Sequence, residues 1–168
     1  MATPAPERLR LHGHCLIVLE RTLTATAPQE GCALLLGTRL QEALVLQRIW
    51  PCCNSWQPAA ERTHRFQLDP REQLLAQRWA RAHQLQVLGA AHSHPTSAAV
   101  PSRTDLELCL GPSLMLIHSG LAAQQQPWGA WWLSESHLET DGTQTSSAAP
   151  LELSIEVTLD QRTQHLGE

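Results

Sequence analysis

The apolar run Leu85-Gln86-Val87-Leu88-Gly89-Ala90-Ala91 leads straight into His92-Ser93-His94-Pro95, and this junction constrains the fold more than any other stretch of the chain. The run reads as a buried strand. Alternate side chains leave the same face of a strand, so His92 and His94 point together while Ser93 turns away. Pro95 cannot donate to a sheet ladder and ends the strand just past the second imidazole. Residues 96–101 then turn the chain toward a helix, for which Ser102 is a natural N-cap and Asp105 sits in the first turn. Asp105 can therefore reach the two imidazoles from a different element.

Two imidazoles and a carboxylate make the ligand set of a catalytic zinc site, which takes three protein ligands and leaves the fourth position to water. A structural site is expected to close with thiolates, and no cysteine lies in this stretch. One Zn2+ per chain is therefore expected, held by His92, His94 and Asp105. Water bound to zinc has its pKa lowered to about 7, and it needs a base to take its proton. The candidate is Glu30, which opens the apolar segment Gly31-Cys32-Ala33-Leu34-Leu35-Leu36-Gly37, where a carboxylate is costly unless it has work to do. Taken singly these features are ordinary. His-x-His pairs occur on surface strands, Ser102 and Asp105 have the spacing of a capping box, and Glu30 alone reads as a loop carboxylate at a strand edge.

Taken together they form a pattern: Glu30 seven residues before Gly37, His92-Ser93-His94-Pro95, then Ser102-x-x-Asp105 with seven residues between His94 and Ser102. This closely resembles the JAMM (MPN-plus) metalloprotease family over residues 9–135, with further matches at Asn54, Phe66, Asp69-Pro70 and Ser119. The resemblance implies that His92, His94 and Asp105 bind zinc, that Glu30 is general acid and base, and that Ser102 steadies the oxyanion. It also implies an α+β, α/β/α-like fold, a curved mixed β-sheet flanked by helices of the cytidine-deaminase-like kind. Short stand-alone members of the family cut at the C-terminal glycines of ubiquitin-like sulfur-carrier proteins. This chain looks like those, having no room for the insertions of ubiquitin-chain-cleaving relatives. A phage-tail-type peptidase acting on cell-wall peptides and a metal-free MPN-type binding scaffold are the alternatives. The DNA-repair-associated branch usually shows Asn where Ser93 stands. The chain departs from the family in having Ala33 where glycine is common, and nothing after about residue 141 matches. Other His-x-His families fit worse: cupins want a carboxylate where Ala98 and Ala99 stand, and amidohydrolases need a barrel of roughly 250 residues.

Composition bounds the remaining classes. At 168 residues and a net charge of -4, with no basic run, the chain has no electrostatic footprint for nucleic acid or an anionic membrane. All twelve cationic residues are arginine, which excludes lysine-nucleophile chemistry. Cys15, Cys32, Cys52, Cys53 and Cys109 are an odd number lacking a Cys-x-x-Cys pair, and suit a reducing cytoplasm better than a disulfide framework. Cys32 is read as core rather than as a thiol nucleophile. The N-terminus lacks an apolar signal core and no run is long enough to span a bilayer.

Residues 1–140 are read as the catalytic domain, 141–150 as a flexible loop and 151–168 as a strand and tail. Within the first, residues 9–11 suggest a short strand, and Leu16, Leu19, Glu20 and Leu23 a helix that Pro28 ends. Ala43-Leu44-Val45-Leu46 and Ile49-Trp50 suggest a strand, followed by a polar loop near which His64 faces solvent. A second helix starts with Asp69 as N-cap, Pro70 at its first position and Glu72 completing a capping box. Leu75, Trp79 and Ala82 are expected to face the core, and His83 to cap the end. Leu114–Ile117 and Trp128–Leu133 read as strands, the tryptophans packing in the sheet rather than forming an exposed shelf. His118 and His137 are expected at the polar surface. The alternation Leu151, Leu153, Ile155, Val157, Leu159 is that of a half-buried strand, which either closes the sheet edge or pairs with a second copy in a homodimer.

Overall fold

The computed structural model describes residues 4–109, 111–123, 125–134 and 149–159. His137 and most of the expected flexible loop and tail lie outside them. The elements run β1 (Arg8–His12), α1 (Gly13–Thr24), β2 (Cys32–Leu40), β3 (Ala43–Cys52), a single 3-10 turn (Ala59–Thr63), α2 (Pro70–Ala82), β4 (Gln86–His94), α3 (Arg103–Leu108), β5 (Ser113–Ser119), β6 (Trp128–Leu133) and β7 (Leu151–Thr158). No helix among the described residues is long and apolar enough to cross a membrane.

The mixed α+β architecture agrees with the sequence. The sheet differs from the expected curved mixed sheet in that it closes into a barrel in the order β1-β3-β2-β4-β5-β6-β7. The closing strand is β7, which pairs antiparallel with β6 through Leu153 opposite Ala130 and parallel with β1 from Ser154 to Thr158. The alternating strand is thus taken up within its own chain. Its apolar row is only partly covered: Leu153 is buried, while Leu151 and Val157 lie at the surface. Arg8 and Arg10 reach Glu156 across the β1–β7 seam at 3.4 and 2.7 Å. These exposed pairs help to set register and add little stability.

Alternation along the strands divides the core. One set of side chains, from Leu9 and Leu11 through Leu35, Leu44, Leu46, Leu114 and Leu116, packs with Cys15, Leu19 and Leu23 of α1. Each such leucine contributes roughly 1.5–3 kcal/mol by leaving water. On the opposite face Leu34 and Leu36 meet Ala76 and Ala80 of α2, and Met115, Ile117 and Leu133 meet Ala99 of the loop before α3.

Asp69 caps α2 as expected, its carboxylate accepting from the Arg71 N–H at 2.8 Å, with Pro70 next. Glu72 does not complete a capping box. It accepts instead from the Trp50 indole N–H at 2.8 Å, because β3 packs alongside the helix start. The buried face of α2 is Ala76 and Ala80, with Leu75 and Ala82 exposed and Trp79 half-buried. Two small residues let the helix lie close on Leu34 and Leu36, which fill the space between. His83 ends the helix, donating from Nδ1 to the Trp79 carbonyl at 2.7 Å and stacking on that indole.

Candidate metal centre

His92 and His94 leave the last turn of the pleat in β4 on the α2 face, as alternation requires, with their Nε2 atoms 3.0 Å apart. Asp105 Oδ2 lies 3.4 Å from each. The three residues are 0%, 5% and 8% exposed, and their donor atoms form a group within 4.8 Å that could hold a metal ion.

Asp105 is delivered by the start of α3. Ser102 and Asp105 do form a capping box: the Asp105 N–H donates to Ser102 Oγ at 3.1 Å, and the Ser102 N–H donates to Asp105 Oδ2 at 2.7 Å. The carboxylate that caps the helix is therefore also the one placed to serve as a ligand. The oxygen that caps the helix is the oxygen that faces the imidazoles.

The loop between β4 and α3 is fixed from below. Gly120 N–H donates to the His94 carbonyl at 2.9 Å, Ser119 Oγ to the Ser97 carbonyl at 2.7 Å, and Trp131 Nε1 to the Ala99 carbonyl at 2.9 Å. Held this way, the Ala98 carbonyl accepts from His94 Nδ1 at 2.8 Å. That bond puts the His94 lone pair on Nε2, toward the other two donors. His92 has no such support: its Nδ1 is buried without a partner, and its ring is stacked under Phe66 with centroids 4.3 Å apart.

The charges suit a cation. Burial opposes ionisation of Asp105, but hydrogen bonding from His92 and His94 outweighs it and holds the carboxyl well below the usual range. Burial also keeps His92 below its ordinary pKa and so neutral. His94 is raised, since hydrogen bonds to Asp105 and Ala98 overcome its burial. A metal ion would take the place of the proton that this anionic trio otherwise recruits, and two imidazole nitrogens with one carboxylate oxygen are a fitting donor set.

Glu30 stands across the strand pair. Cys32 is opposite His92, and the Ser93 N–H donates to the Gly31 carbonyl at 3.0 Å, so Glu30 falls opposite His94. Gly31 is needed here, because a Cβ would lie 2.3 Å from the Leu23 carbonyl oxygen at the end of α1. Ser93, turned away from the imidazoles, accepts from the Gly31 N–H at 2.8 Å and donates to Leu23 O at 3.2 Å. Glu30 is 5% exposed. Burial pushes its carboxyl up to about 7, with the charge of His94 opposing and that of Asp105 adding.

Other candidates fall away. Burial pushes the Cys32 thiol up to about 12 and the Cys52 thiol up to about 11, so neither is a thiolate at neutral pH. His64 is exposed, as expected. His118 is not at the surface: it is buried on the Ser93 face of the sheet, edge-on to Trp128, with Nε2 4.0 Å from Glu20. It is absent from the ligand group because β5 turns it to the other side. The tryptophans of β6 pack rather than form a shelf, Trp132 being buried and Trp128 and Trp131 half-buried. A surface hollow of about 270 Å³ between residues 37–39 and 84–86 is at the far end of β2 and β4 and holds none of these groups.

The family described as prokaryotic homologs of the JAB domain matches residues 14–134, a span that contains Glu30, His92, His94, Ser102 and Asp105. Among solved structures, a solution structure of a protein from Desulfitobacterium hafniense is similar with a TM-score of 0.72 at 27% identity, covering 95% of this chain and 99% of that one. A solution structure of a protein from Salinibacter ruber is similar in fold with a TM-score of 0.56 at 24% identity, covering 95% and 96%. None of the curated proteins matches.

Proposed function

The chain belongs to the prokaryotic homologs of the JAB domain, and on that premise we propose that it is a zinc-dependent peptidase or isopeptidase that cuts an amide bond at the C-terminal Gly-Gly tail of a ubiquitin-like sulfur-carrier protein. The observation that carries this reading is the convergence of His92 Nε2, His94 Nε2 and Asp105 Oδ2, with the buried carboxyl of Glu30 just ahead of the neighbouring strand β2. Zinc held by those three donors supplies an acidified water and a Lewis acid for the scissile carbonyl.

The remaining chemistry belongs to the chain. Glu30, with a pKa near neutrality, accepts the proton of the attacking water and returns it to the leaving amine. Ser102 Oγ already accepts the Asp105 N–H, which leaves its own O–H to donate to the developing oxyanion. The capping box holds Asp105 in place throughout. A site whose donors are more than nine-tenths buried favours a substrate without side chains next to the scissile bond, and two glycines meet that need. The five free cysteines suit work in a reducing cytoplasm.

A sulfur carrier bearing one extra amino acid after its Gly-Gly end, incubated with zinc-loaded protein, is expected to lose the mass of that residue. A cell-wall peptide incubated in parallel should be untouched. An unchanged carrier mass in the presence of one zinc per chain rejects this substrate class.

A further inference from the structure

Residues 54–67 press against the metal centre without supplying a donor to it. Asn54 lies at the root of this segment and uses all four of its hydrogen-bonding positions. Nδ2 donates to the Glu30 carbonyl at 3.1 Å and to the Arg65 carbonyl at 2.8 Å. Oδ1 accepts from the main-chain N–H of Trp56 at 3.0 Å and of Gln67 at 3.2 Å. Glu30 is tied a second time, its N–H donating to the Arg62 carbonyl at 2.7 Å.

Between Arg65 and Gln67, both held by Asn54, stands Phe66. Its ring covers His92 at 4.3 Å with the planes inclined by 21°. A metal-ligating histidine ordinarily has its second nitrogen held by an acceptor, whereas the buried Nδ1 of His92 has none. Stacking takes over the orienting task. The far side of the segment is closed by Trp56 Nε1 donating to Glu61 at 3.1 Å, Arg62 Nε donating to the Trp56 carbonyl at 2.8 Å, and the Arg65 guanidinium 5.2 Å over the Trp56 ring.

From this arrangement we propose that Asn54 is the positioning residue of the centre: it fixes the Glu30 main chain on one side and, through Arg65 and Gln67, sets Phe66 against His92 on the other. Asn54 acts through its neighbours and reaches neither metal nor substrate. The effect on Glu30 rests on the peptidase reading, while the effect on His92 requires only that the centre binds metal.

Zinc dissociation constants of the full chain, measured by competition with a chromophoric chelator, test this directly. Asn54→Ala and Phe66→Leu are each expected to weaken zinc about tenfold, in the range of outer-shell changes. Their combination should weaken it no more than the stronger single change, because one acts through the other. Asn54→Asp keeps both acceptor bonds and loses both donor bonds, so it should also weaken zinc, and it serves should the alanine variant fail to fold. Ser55 donates to the Gln67 carbonyl from both its main-chain N–H and its Oγ, each at 2.9 Å, so Ser55→Ala keeps one of the two bonds and should leave the constant unchanged. With the carrier adduct as substrate, Asn54→Ala should lower kcat more than it raises KM, and should add nothing in a Glu30→Gln background.

Wild-type zinc affinity and kcat in both Asn54 variants, with only the melting temperature lowered, would overturn the proposal, as would additive losses in the Asn54→Ala/Phe66→Leu protein. Should the unaltered protein cut no carrier adduct, the peptidase reading alone fails, and the zinc constants still decide the positioning role.

Discussion

Glu30→Gln is expected to lower turnover about a thousandfold, within the range set by loss of a general base, while zinc remains at one per chain. The same change should make the metal-free protein more stable. Glu30 has its folded pKa raised from 4.5 to about 7 by burial. A carboxyl shifted this way costs nothing below its unfolded pKa, and stability is lost as pH rises from about 4.5 through about 7, the unfolded chain ionising first. Above that window the penalty is on the order of 3 kcal/mol, from roughly 1.4 kcal/mol per pKa unit. Glutamine carries no charge to desolvate, so the melting temperature of metal-free Glu30→Gln at pH 8 should exceed that of the unaltered protein, with the two converging near pH 4. Calorimetry across that range and a single-substrate assay read both effects. Wild-type turnover in zinc-loaded Glu30→Gln would remove Glu30 from the mechanism.

The second large effect separates the two duties of Asp105. Asparagine can still accept the Ser102 N–H through its amide oxygen, so Asp105→Asn should keep the start of α3 and cost no more than about 1 kcal/mol of helix-cap stability. It removes the anion on which His92 and His94 converge. Zinc affinity should therefore fall by more than about a hundredfold, beyond what outer-shell changes cost. Equilibrium dialysis with metal analysis gives the affinity, and urea titration of the metal-free protein gives the stability. A variant that keeps its zinc would show that the carboxylate caps the helix and does nothing more at the centre.

The metal strand, its two imidazoles, the proline that ends it and the capped helix carrying Asp105 could be read from sequence, because each depends on neighbours within a few residues. Glu30 needed the family pattern, since nothing local tells a buried carboxylate from a loop one. What sequence could not supply came from pairings across long separations. Barrel closure depends on Ser154–Thr158 finding Arg8–His12. Glu72 left its expected cap because Trp50, on another element, offered an N–H. On α2, Trp79 packs on the core as expected, but Leu75 is exposed and Ala76 buried in its place, because close packing on Leu34 and Leu36 favours the small residue. His118 is buried through its register beside Ser93, which a polar residue near a strand end does not reveal. Asn54 and Phe66 were visible only as family matches. Their contacts with Glu30 and His92 exist only once the segment between β3 and α2 has folded back.

The matched family region ends at residue 134, whereas β7 begins at Leu151 and is flanked on both sides by partners. The clasp of the ring thus lies outside the part that the family model matches. A chain trimmed after residue 134 would keep His92, His94 and Asp105 and yet leave β1 and β6 with open ladders of unpaired amides and carbonyls, an invitation to stick to other copies. For this protein, the integrity of β7 bears on association between copies before it bears on the three grouped donors.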